Sequence, residues 1–131
     1  MGALPPTPTS CCFQKPPVAL PTIRPSGAFL AYDVARGRIA WRVSLPPSSL
    51  AFGGSSVTSG NVIIHGVSAG FVDARDATSG KLLWRYRTSA GADAAPAIYS
   101  VGGITYIAIA AGGIEVIGSA RGDTLYVFAL R

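Results

Sequence analysis

Two short stretches of this chain bring together residue types that do covalent chemistry. Gly66-Val67-Ser68-Ala69-Gly70 has the Gly-x-Ser-x-Gly spacing of a nucleophile elbow, and His65 stands directly before it. In such an elbow a tight turn presents the serine hydroxyl, and a histidine accepts its proton. The context argues against that chemistry. An elbow is followed at once by a helix and later by its histidine, whereas Phe71-Val72-Asp73-Ala74 reads on as strand and His65, the single histidine, comes first. Two glycines flanking a hairpin turn account for the match, and His65 reads as an ordinary side chain of an apolar strand. The only cysteines, Cys11 and Cys12, are adjacent and lack the Cys-x-x-Cys spacing of a metal site or haem attachment. Arg121-Gly122-Asp123 spells the integrin-binding tripeptide but carries no functional weight. The Gly112 to Gly118 loop lacks the Gly-Lys-Ser/Thr ending of a phosphate cradle. No His, Cys and carboxylate group has metal-ligand spacing, so no catalytic and no metal-binding residue is assigned.

The elements that hold these residues form a repeat. Ala31-Tyr32-Asp33-Val34-Ala35-Arg36-Gly37-Arg38-Ile39-Ala40-Trp41 and Ala74-Arg75-Asp76-Ala77-Thr78-Ser79-Gly80-Lys81-Leu82-Leu83-Trp84 both read Ala-x-Asp-x-x-x-Gly-x-x-x-Trp, at a constant offset of 43 residues. That offset is the length of one four-stranded propeller blade. In each copy the Asp can cap the backbone N–H groups of the following turn, the Gly supplies a positive φ, and the Trp offers a flat surface to the next blade. The expected class is all-β, a partial β-propeller of about two to three antiparallel blades. At 131 residues the chain is too short to close a ring from one copy.

The strands expected are Ala28 to Asp33, Ile39 to Leu45, Ser55 to Thr58, Asn61 to His65, Phe71 to Asp76, Leu82 to Arg87, Ala95 to Tyr99, Thr105 to Ala110 and Thr124 to Ala129, separated by turns at Ser59-Gly60, Ser79-Gly80 and Gly102-Gly103. They divide into the outer two strands of one blade, a whole second blade and three strands of a third. Residues 1–26 hold Pro5, Pro6, Pro8, Pro16, Pro17, Pro21 and Pro25 and read as a disordered Pro-rich leader, with the propeller part at 27–131.

Charged residues make up 13% of the chain against 49% hydrophobic, which suits sheets covered by other sheets. The net charge of +5 comes from scattered arginines, among them Arg36, Arg38, Arg42, Arg75, Arg85 and Arg87, and these read as a solvated strand face and not as a nucleic-acid surface. No apolar run reaches the length of a membrane span, and no signal peptide is visible.

With the repeat in place, Gly27 to the C-terminus resembles the C-terminal part of the pyrroloquinoline-quinone (PQQ)-dependent alcohol dehydrogenases. The resemblance runs through residues 74–84, Pro96-Ala97-Ile98-Tyr99, residues 103–113 and Gly122-Asp123-Thr124-Leu125-Tyr126-Val127-Phe128-Ala129-Leu130. It implies an eight-bladed periplasmic quinoprotein with tryptophan-docking motifs, the quinone and a Ca²⁺ or lanthanide ion on the propeller axis, and a cytochrome c as electron acceptor. The metal-binding Glu and Asn, the base Asp and the stacking Trp of that family have no counterpart here, and Cys-x-x-Cys-His is absent. Where the family's innermost strand begins Trp-Asn-Gly-Gly, this chain has Ala51-Phe52-Gly53-Gly54. The resemblance therefore points to Phe52, Gly53 and Gly54 as cofactor-edge residues, with Asp93 in the equivalent loop one blade later either at that edge or a solvated loop acid. The family's ring disulfide belongs to an early blade, so Cys11-Cys12 is set aside as coincidence.

The expectation is a partial copy, inactive alone, whose partners are the remaining blades or further copies of itself. A non-catalytic scaffold built from the same repeats, as in outer-membrane assembly lipoproteins, is the alternative. The blade count also predicts that Trp84, with a sheet on each side, is buried more deeply than Trp41.

Overall fold

A computed structural model describes residues 27–45 and 53–130. The Pro-rich leader, Cys11-Cys12 and Phe52 lie outside the described residues. Nine strands follow one another: β1 (Gly27–Asp33), β2 (Arg38–Leu45), β3 (Ser55–Val57), β4 (Val62–Val67), β5 (Phe71–Asp76), β6 (Leu82–Arg87), β7 (Ala97–Val101), β8 (Ile104–Ala111) and β9 (Thr124–Leu130). They form three antiparallel sheets in the order β1-β2, β3-β4-β5-β6 and β7-β8-β9, called here the first, second and third sheets. This is the division into two, four and three strands that the repeat predicts.

Local chemistry sets the strand ends. Pro96 has no N–H to donate, so β7 begins at Ala97 and not at the expected Ala95. Gly102 and Gly103 both have positive φ (57° and 78°), the geometry of a two-residue hairpin turn whose twist matches its strands. At the β3–β4 turn the left-handed position falls on Asn61 (φ 64°) and not on Gly60. Asn61 tolerates it because its side chain donates to Thr78 Oγ1 at 2.8 Å and its carbonyl accepts from Ala77 N at 2.9 Å. One short 3₁₀ turn, Glu115–Ile117, interrupts the Gly-rich loop before β9 and closes on Gly118 in the left-handed region.

The repeated corner is built as its residue types require. Asp33 Oδ1 accepts from Arg36 N at 3.0 Å, and Asp76 Oδ1 accepts from Thr78 N and Ser79 N at 3.1 and 2.7 Å. Gly37 and Gly80 take φ 63° and 72°. Hydrogen bonds from the Arg36 and Ser79 side chains, respectively, hold both carboxyls below the usual Asp value.

The second sheet presents two unlike faces, because side chains alternate across a strand. Ile64, Val72 and Ala74 face the third sheet, where they join Ala92, Ile107 and Ile109 in the apolar core. His65, Asp73 and Arg75 point the other way, toward the first sheet, whose Phe29 stacks on His65.

Candidate functional site

The loops between the second and third sheets bring the polar residues of the chain's middle together. Ser68, in the turn between β4 and β5, is buried and donates its hydroxyl to Asp93 Oδ1. Ser119 Oγ lies 2.8 Å from Asp93 Oδ2 and 3.0 Å from the Ser68 carbonyl, so one buried hydroxyl ties both residues to the loop before β9. The backbone is knitted in parallel: Gly91 N donates to Ala120 O at 2.9 Å, and Gly113 N donates to Gly91 O at 3.0 Å. A Cβ on Gly91 would fall 1.7 Å from Ser119 Oγ and 2.6 Å from Asp93 Oδ2, so only glycine leaves room for this cluster.

Asp93 is therefore half-buried, with both carboxylate oxygens accepting from serine hydroxyls, and is not a solvated loop acid. Gly53 and Gly54 lie just before β3, close to this loop. A Cβ on Gly53 would come within 2.1 Å of Gly66 O and 3.2 Å of Ala92 O, and one on Gly54 within 2.5 Å of Ala95 Cβ. What fills the space beside these glycines is the chain's own backbone and Ala95. The structure thus brings Gly53, Gly54 and Asp93 to one region. Ser119, separated from Asp93 by 26 residues, belongs to the same cluster and carries no sequence motif.

The Gly-x-Ser-x-Gly stretch is a hairpin turn: Gly70 N donates to Val67 O at 3.0 Å, with φ 85° at Gly70. Neither ring nitrogen of His65 has a hydrogen-bond partner, so Ser68 and His65 do not form a proton-transfer pair.

A second polar cluster lies on the opposite face of the second sheet. Asp73 is fully buried and accepts from Arg85 Nε and Nη2 at 2.7 and 2.8 Å and from Arg75 Nη2 at 2.8 Å. Burial raises its pKa, but the hydrogen bonds from Arg85 and then Arg75 outweigh burial and leave the carboxyl below its usual value. The same bond raises Arg85. The solvated reading of the arginines fails at Arg75, which is 5% exposed. Asp73 neutralises it, and Arg75 Nη1 also donates to Gly80 O at 3.1 Å. Alternation of Asp73 and Arg75 with Val72 and Ala74 resembles a solvent-facing pattern, so the sequence held no signal for a buried ion cluster.

Between the second and third sheets, at the end away from Asp93, a cleft of about 980 Å³ opens beside Trp84, Ile98 and Phe128. Among the described residues no ionisable side chain lines it, so these supply no acid, base or charged nucleophile. Among the described residues no three His, Cys, Asp or Glu side chains stand close enough to share a metal ion. Among the described residues no helix is long and apolar enough to cross a membrane.

Residues 9–107 match the PQQ glucose/ethanol/alcohol dehydrogenase β-propeller domain. The match begins inside the stretch set apart as a leader. Quinohemoprotein alcohol dehydrogenase ADH IIB of Pseudomonas putida is 38% identical over 87 residues, covering 66% of this chain and 12% of its own length. The quinohemoprotein alcohol dehydrogenase of Comamonas testosteroni is 37% identical over 105 residues, 79% of this chain and 14% of the relative. A solved structure of a Comamonas testosteroni quinohemoprotein alcohol dehydrogenase superimposes with a TM-score of 0.69 at 31% identity, over 82% of this chain and 17% of that one. The lanthanide-dependent methanol dehydrogenase of Methylorubrum extorquens is 35% identical over 100 residues, 75% of this chain and 16% of the relative. The chain thus spans between 12% and 16% of the length of these three relatives.

Proposed function

Because the chain belongs to the β-propeller family of PQQ-dependent glucose, ethanol and alcohol dehydrogenases, we propose that it serves as blades of such a dehydrogenase and does not oxidise alcohols unaided. The observation that carries this reading is the corner Asp-x-x-x-Gly-x-x-x-Trp. Its first copy sets Trp41 of one sheet against the Gly80 turn of the next, with Trp41 Nε1 donating to Ala77 O at 2.9 Å. Such a contact between successive sheets is what a tryptophan-docking motif provides.

The residues described here do not by themselves fit the quinone and its metal. The space at Gly53 is taken by Gly66 O, both oxygens of Asp93 are bonded to serines, and no group of metal ligands is present among the described residues. In the proposed role Gly53, Gly54 and Asp93 hold the inner wall in place, Phe52 is the residue before Gly53 in the sequence, and the site for the quinone with Ca²⁺ or a lanthanide is completed by further blades. Quinone-linked alcohol oxidation in the periplasm, with a cytochrome c as acceptor, belongs to that larger assembly.

Titration of the chain with pyrroloquinoline quinone and Ca²⁺, followed by quinone absorbance and fluorescence, tests the reading. The expected result is no saturable binding and no dye-linked alcohol oxidation. Saturable micromolar binding accompanied by turnover would overturn it.

A further inference from the structure

His65 occupies an unusual position for an ionisable group. It is 2% exposed, both ring nitrogens lack a hydrogen-bond partner, and its ring stacks on Phe29 with centroids 4.3 Å apart and planes 14° from parallel. Phe29 belongs to the first sheet and His65 to the second, so this stack is part of the contact between them. Trp41 completes it, 5.6 Å from Phe29 and hydrogen-bonded to Ala77 O.

Of the groups around His65, the Gly54 backbone and the Asp73 carboxylate favour a proton on the ring, and burial outweighs both. Across from it in register on β5 stands Asp73, whose carboxylate already receives three hydrogen bonds from Arg85 and Arg75. Arg75 itself, two residues along β5, is a buried cation with an unpartnered Nε. On β3 the residue opposite is Ser55. From β1 and β2 the inward-facing pairs are Gly27 with Leu45, Phe29 with Val43 and Ala31 with Trp41, none ionisable. Asp33 at the end of β1 is ion-paired with Arg36. The 46–52 stretch that links the two sheets contains no ionisable residue.

We propose that His65 is an acid-sensitive catch: neutral, it packs the first sheet onto the second, and protonated, it releases β1 and β2. An imidazolium has two N–H groups to satisfy and a charge to solvate. The closed site offers it one ring face, the Gly54 backbone, a neighbouring guanidinium and a carboxylate already bonded to two arginines, too little to offset burial. Opening the Phe29 stack lets water reach the ring, and the Trp41 contact loosens with it. Burial holds the imidazole below its ordinary value of 6.5, which is the direction such a catch requires. The opened state binds the proton more tightly than the closed one, so the closed state is favoured at and above neutrality and yields as the pH falls below the ordinary imidazole value.

Amide hydrogen exchange on the unmodified 131-residue chain reads the release directly. With the intrinsic pH dependence removed, exchange of β1 and β2 amides should rise relative to β4 and β5 by up to roughly tenfold per pH unit below the ordinary imidazole value. Trp84→Phe leaves Trp41 as the single tryptophan, and its emission should shift to the red over the same range. His65→Phe keeps a ring beneath Phe29 and cannot take a proton, so it should abolish both changes. If β1 and β2 keep their protection in the unmodified chain, or the His65→Phe chain shows the same transition, the catch is wrong.

Discussion

The ring of Trp41 lies directly over Gly80: a Cβ built on that glycine would sit 2.5 Å from Trp41 Cε3 and 2.7 Å from Cδ2. Gly80 therefore has two reasons to lack a side chain, its φ of 72° and the aromatic plane above it. Gly102 isolates the first reason, since its φ is 57° and a Cβ there would meet nothing within 4 Å. Gly80→Ala should cost about 2–4 kcal/mol, combining left-handed strain with overpacking, and Gly102→Ala about 1 kcal/mol. Urea unfolding of the two variants checks the difference. Equal losses would mean that the ring has room to move aside.

The two tryptophans are not equivalent, and their order is the reverse of what blade count predicts. Trp41 is half-buried and bonded to Ala77 O, whereas Trp84 is 41% exposed, with Phe128 and Tyr86 as its aromatic neighbours. The physical difference is the corner each ring meets. Trp41 reaches the Ala77 to Gly80 turn, but among the described residues no such turn follows β9 for Trp84. Trp41→Ala should cost about 3 kcal/mol, as for a buried aromatic, and Trp84→Ala roughly 1–2 kcal/mol, in proportion to the smaller apolar area removed from water. Thermal or urea unfolding of the two variants, with a more red-shifted emission from Trp84 than from Trp41, is the check.

Strand positions, sheet division and corners were legible in the sequence because each rests on local signals: alternation, Asp capping, glycine at positive φ and the repeated Trp. The polar clusters were not. Asp93 and Ser119 meet because two loops cross, which no spacing announces. Asp73 and Arg75 alternate with apolar neighbours as they would on a solvated face, yet both are buried. The same lack of long-range information hid the difference between Trp41 and Trp84, which depends on which turn lies opposite each ring. Gly53 and Gly54 read in the sequence as glycines at a cofactor edge. What approaches them among the described residues is Gly66, Ala92 and Ala95.

Asp73 anchors two guanidiniums, one of them buried, and its removal leaves Arg75 uncompensated. Asp73→Asn should destabilise the chain by about 3–5 kcal/mol, as when one partner of a buried ion pair is lost. Arg85→Gln should cost less, because the Arg85 side chain is 39% exposed and Arg75 still neutralises the carboxylate. The pH dependence has a definite sign. The unfolded Asp73 takes a proton near its ordinary value of 3.8 and the folded one resists to lower pH. Its contribution is present in full above that value and is lost as the pH falls through the depressed one. Asp33 and Asp76 are shifted in the same direction, so the measurement is the difference in urea midpoint between the parent and Asp73→Asn across the acid range. A constant difference would show that Asp73 does not titrate as an ion-paired carboxylate.

β9 pairs only with β8 among the described residues, and its sequence Thr124-Leu125-Tyr126-Val127-Phe128-Ala129-Leu130 contains neither charge nor proline. Its other edge thus has none of the devices that keep strands from pairing with a second chain. On the side away from the second sheet, Leu125 and Val127 are 65% and 50% exposed, adding an apolar surface next to that edge. The isolated chain should associate in a concentration-dependent way by sedimentation velocity. Val127→Lys places a charge at the centre of the strand without entering the core shared by Ile107 and Ile109, and should shift the distribution toward monomer. The folded content by circular dichroism should stay the same, which separates loss of association from loss of structure. A parent chain that sediments as a single monomeric species over a hundredfold range of concentration, a window of about 2.7 kcal/mol in association free energy, would show that the β9 edge is protected by something other than its own sequence.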